Sequence, residues 1–66
     1  MRYEFLIAGG VTETVQAAFP GFDFAAGPAG GTVIYGPVRD KAELRGILAR
    51  FDQLGLTVVE MRKLPD

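Results

Sequence analysis

Seven basic side chains, eight acids and two tyrosines carry all the ionisable chemistry of this chain. Cys, His, Ser, Asn and Trp are absent. Without imidazole there is no side chain whose ordinary pKa suits proton transfer near neutral pH, and no Ser-His-Asp or Cys-His constellation can be built. Thiolate and imidazole are also the usual ligands of zinc, copper and nickel, so no metal or other cofactor is expected. Catalysis would have to rest on Tyr, Arg, Lys, Asp or Glu.

Three stretches gather residues with chemical potential. In Gly9-Gly10-Val11-Thr12-Glu13 a strand end meets a helix start, and free N–H groups at Gly9, Gly10 and Thr12 make a candidate anion site. The stretch lacks the lysine and hydroxyl of a P-loop, and a turn needing permissive backbone angles accounts for both glycines. Asp40, Glu43 and Asp52 lie on or before a helix, where capping and a solvated face occupy them without any cleft. Gly27-Pro28-Ala29-Gly30-Gly31 reads as a hairpin connection.

The elements that position these residues follow from periodicity. Arg2–Ala8 alternates as a strand, with Tyr3, Phe5 and Ile7 on one side. Thr12 caps a short helix whose Val11, Val15, Ala18 and Phe19 share a face, stopped by Pro20-Gly21. Phe22–Ala26 and Thr32–Gly36 form a hairpin. Asp40 caps a second helix, with Glu43 at capping-box spacing. Along it, Leu44, Ile47, Leu48, Phe51 and Leu54 form the clearest apolar stripe in the sequence. Gly55 ends that helix, and Leu56–Leu64 is a last strand.

The order β-α-β-β-α-β over residues 1–66 predicts one α+β domain of ferredoxin-like type. Its four-stranded antiparallel sheet has order 4-1-3-2, with both helices on one face. The other face stays open. On it the expected residues are Glu4, Leu6, Val58, Glu60 and Arg62, while Val59 and Met61 turn inward. The third strand contributes either Val33 and Tyr35 or Ile34. Tyr35 is the residue best suited to a contact, since tyrosine offers rigid amphipathic area. Short strands, proline and charge blunt both sheet edges, so association is expected face to face.

Net charge is −1 and the pI is near 5.2, which disfavours nucleic acid, a partner normally met by basic patches. The longest apolar run, Phe5–Val11, falls far short of the roughly 20 residues that cross a bilayer. Met1–Val11 makes a poor leader, because its removal would delete the best strand; the expected compartment is the cytoplasm. Five Arg against two Lys, with nine Gly and eight Ala, reflect GC-rich coding and suggest a bacterial source. A chain of 66 residues buries only about 60% of its unfolded surface. With no disulfide available, a partner subunit is the remaining support.

The chain resembles the ACT family of small regulatory domains in size and strand order. Those domains bind amino acids at a dimer interface through an acidic residue and Pro-Gly after the first strand. Ala8-Gly9-Gly10-Val11-Thr12 keeps the glycines and lacks the acid and the proline, so the resemblance implies dimerisation without amino-acid binding. Gly36-Pro37-Val38-Arg39-Asp40, with Leu54-Gly55-Leu56, also resembles short uncharacterised actinobacterial proteins of the same fold, which imply no activity.

The expectation is a non-enzymatic regulatory or interaction module that forms a homodimer through its open sheet face and binds a protein partner. Two alternatives stand beside it. One is a small-molecule binder or cofactor-free enzyme with its site between two paired sheets. The other is an RNA-binding sheet, against which the acidic balance argues.

Overall fold

Alternating apolar and polar residues make Arg2–Ile7 a strand, β1, and the same pattern organises the rest of the chain. The computed structural model describes residues 1–65. After β1 come α1 (Glu13–Ala17), β2 (Asp23–Ala26), a 3-10 turn (Pro28–Gly30), β3 (Thr32–Pro37), α2 (Lys41–Gln53) and β4 (Val58–Leu64). The architecture is α+β, with one antiparallel sheet in the order β2-β3-β1-β4. Read from the other edge, this is the expected 4-1-3-2.

Each helix starts and stops where its sequence dictates. Thr12 Oγ1 accepts a 3.3 Å hydrogen bond from the Val15 N–H at the head of α1. Asp40 Oδ1 accepts from the Glu43 N–H at 2.8 Å, and Glu43 Oε1 accepts from the Arg39 N–H at 2.8 Å. Glu43 thus reaches one residue further back than in the usual capping box. At the far end of α2, Gly55 has φ +72°. Its N–H donates to the Asp52 carbonyl at 3.0 Å, and the Leu56 N–H donates to the Phe51 carbonyl at 2.9 Å. This is a Schellman closure. β4 begins at Val58 and not at Leu56, although the Thr57 carbonyl still accepts from the Ala8 N–H at 3.0 Å.

The core lies between the sheet and the two helices. Phe5, Ile7 and Ile34 from the sheet meet Val15, Phe19, Ile47 and Phe51 from the helical layer. Phe51 is its hub, with ring centroids 5.1 Å from Phe5 and 4.7 Å from Phe19. Arg50 joins the helical segments from outside. Its Nη1 donates to the Ala18 carbonyl at 2.8 Å, and its guanidinium lies 5.4 Å from the Phe19 ring centroid. No helix among the described residues is long and apolar enough to cross a membrane.

Candidate functional site

Pairing with β1 settles which residues of β3 face away from the helices. Leu6 stands opposite Val33, Glu4 opposite Tyr35, and buried Phe5 opposite Ile34. Val33 and Tyr35 therefore lie on the open face and Ile34 in the core, because directly opposed residues of an antiparallel pair point to the same side. Two rows cross the whole sheet. One runs Asp23, Tyr35, Glu4, Arg62; the other runs Ala25, Val33, Leu6, Glu60.

The first row carries the only ion pair on this face among the described residues. Arg62 Nη2 donates to Glu4 Oε1 at 2.9 Å, with the Arg62 side chain 62% and the Glu4 side chain 28% exposed. Arg2 stands opposite Leu64 and Glu60 opposite Leu6, so the ladder holds no second pair of this kind. Asp23 and Ala25 join the face from β2, opposite Tyr35 and Val33.

Val58 does not belong to the open face. The register between β1 and β4 shifts between Leu6 and Ile7, so that Leu6 opposes Glu60 and Ile7 opposes Val58. Val59 is the extra residue of a β-bulge. Val58 packs against the core, while Val59 is 61% exposed and borders a groove with Leu6. The inward assignment of Val59 is corrected for the same reason. Met61 opposes Phe5 on the helix side, as expected, yet remains 44% exposed at the sheet edge.

The β2–β3 turn leans onto this face. A Cβ at Gly27 would lie 3.0 Å from Leu6 Cδ1, and one at Gly31 would lie 2.8 Å from the Ile7 carbonyl oxygen. The turn reaches this position through Ala29, held at φ 56°, ψ 32°, a left-handed conformation uncommon outside glycine. Leu6 is consequently only partly exposed. A groove of about 270 Å³ opens between Leu6, Val59 and the Pro28-Ala29 tip.

In the candidate anion loop two oxygens serve the fold itself. Thr12 Oγ1 serves as the helix cap, and the Gly9 carbonyl accepts from Thr32 Oγ1 at 3.0 Å. No Lys or Arg lines the adjoining 410 Å³ depression beside Gly10 and Gln16. Among the described residues, no group of three or more His, Cys, Asp or Glu is placed to hold a metal ion.

No curated protein and no solved structure matches the chain. A family profile matches it over residues 2–62, nearly its whole length. The chain belongs to that family, described as a domain of unknown function (DUF8691).

Proposed function

We propose that the chain is a non-enzymatic interaction module, ferredoxin-like in arrangement, whose open sheet face receives a protein partner. The observation that carries this reading is the sheet face left without a helix. It sets the half-exposed Tyr35, Val33 and Leu6 among Asp23, Glu4, Glu60 and Arg62. Apolar side chains ringed by charge on a small domain are the usual composition of a contact surface. Because the Gly27–Gly31 turn already covers part of Leu6, a partner that reads the charged row suits this face better than closure of two identical apolar patches. Three carboxylates on the face also argue against RNA.

Affinity capture from extract of the source organism tests the reading. A species retained by the wild type should be lost with Val33→Asp and kept with Arg45→Glu, which alters the exposed side of α2. Loss with both variants, or with neither, would refute the assignment.

A second reading rests on the groove beside Val59 and Ala29. Its apolar lining suits a small hydrophobic ligand, although its 270 Å³ falls below the roughly 300–1,000 Å³ of common ligand sites.

A further inference from the structure

The sheet has two free edges, β2 and β4. β2 runs four residues and β4 seven. Leu54, Val59 and Met61 are the exposed large hydrophobics of the described residues, and two of the three lie on β4. An unpaired strand with exposed apolar side chains is a template for another strand.

The sequence of β4 restricts which strand. A two-fold axis perpendicular to the sheet keeps both faces continuous, and it places one residue of β4 opposite itself. Centring on Glu60, Arg62 or Lys63 would set like charges against each other, which is destabilising. Centring on Met61 sets Met61 against Met61 and Glu60 against Arg62, twice. Among the described residues Glu60 forms no ion pair, while Arg62 already bonds Glu4. In this register Arg62 lies between Glu4 of its own chain and Glu60 of the second copy.

We propose that a second copy of this chain adds antiparallel to the free edge of β4, on a two-fold axis at Met61, to make one eight-stranded sheet. The row Asp23, Tyr35, Glu4, Arg62 then continues into Glu60, Leu6, Val33 and Ala25 of the second copy. The bulge at Val59 ends the regular ladder just before Glu60. The added ladder is therefore short, and it depends on the Met61 contact and the two Glu60–Arg62 pairs. Charge disfavours the registers centred on Glu60, Arg62 and Lys63, and the one centred on Met61 pairs opposite charges instead. The inference is independent of the open-face reading, because both open faces stay uncovered in the assembly.

The absence of cysteine makes cross-linking a clean test. Opposed Cβ atoms of an antiparallel pair lie about 4.5–5.5 Å apart, near disulfide reach. Met61→Cys should therefore oxidise to a covalent dimer. Lys63→Cys should not, since its two thiols would be four residues out of register, about 13 Å apart at about 3.3 Å per residue. Light scattering on the wild type at about 1 mM, a concentration that reveals dissociation constants up to that range, should give twice 7.1 kDa. Glu60→Lys should weaken the dimer at least about tenfold, and Val33→Glu on the open face should leave it intact. A wild-type mass of 7.1 kDa, equal cross-linking at positions 61 and 63, or a dimer lost with Val33→Glu but kept with Glu60→Lys would each overturn the proposal.

Discussion

Gly36 and Phe22 compete for one space: a Cβ built on Gly36 would stand 2.8 Å from Cδ2 of Phe22. Phe22 precedes the edge strand β2 and meets Phe19 edge-on, with ring centroids 6.3 Å apart. Gly36→Ala would push this ring off the buried floor of β3. The expected loss is about 1–3 kcal/mol, the usual cost of overpacking, measured by urea unfolding. Combining it with Phe22→Leu should cost less than the sum of the two single changes, because the clash disappears. Additive costs would show that the ring does not depend on the glycine.

Phe51 is 1% exposed and touches both Phe5 and Phe19. Phe51→Ala should cost about 3–5 kcal/mol. At roughly 0.05–0.15 kcal/mol per residue, a domain of this length holds about 3–10 kcal/mol in all. Circular dichroism at 25 °C should therefore show much of the variant unfolded, whereas Phe51→Leu stays folded with a lowered melting temperature. A fully folded Phe51→Ala would remove Phe51 from the centre of the core.

Asp40 accepts the Glu43 N–H at the head of α2. Asp40→Ala should lower stability by about 1 kcal/mol, a typical N-cap loss, and Asp40→Ser should recover most of it. If Ser and Ala behave alike in denaturant titration, the cap contributes nothing and the start of α2 is held by packing alone.

Ala29 holds φ 56° at the tip of the turn over Leu6. Ala29→Gly relieves a left-handed conformation that costs about 1–2 kcal/mol in an L-residue, against about 0.4–1 kcal/mol of added unfolded-state entropy. The net expectation is a small rise in stability, visible as a higher urea midpoint. A fall would mean that the turn stores no strain at this position.

Elements governed by local rules are legible in the sequence. Thr12, Asp40 and Glu43 cap as their types and spacing indicate, and the Leu44–Leu54 stripe marks the face of α2 from which Ile47 and Phe51 enter the core. Residues whose position depends on a distant strand are not legible in the same way. Val33, Ile34 and Tyr35 are all bulky β-formers, so their phase follows only from the register with β1. The bulge between β1 and β4 reverses Val58 and Val59 while leaving Glu60 and Arg62 outward. Their charges therefore indicate the right parity for one half of the strand and the wrong one for the other. The fold of the Gly27–Gly31 turn over Leu6 depends on a left-handed alanine, which composition does not reveal.

The central place of β1 sets an order in time. β1 is made before either of its neighbours, yet it stands between β3 and β4, with Arg2 opposite both Pro37 and Leu64. Until β4 emerges, one flank of β1 has no neighbour and Phe5 waits beside an incomplete layer. Pairings this far apart in sequence form slowly, and a partly made sheet exposes strand edges that invite aggregation. A nascent chain halted before Val58 would carry this central strand half-paired, so the sheet closes only once its last strand has been made.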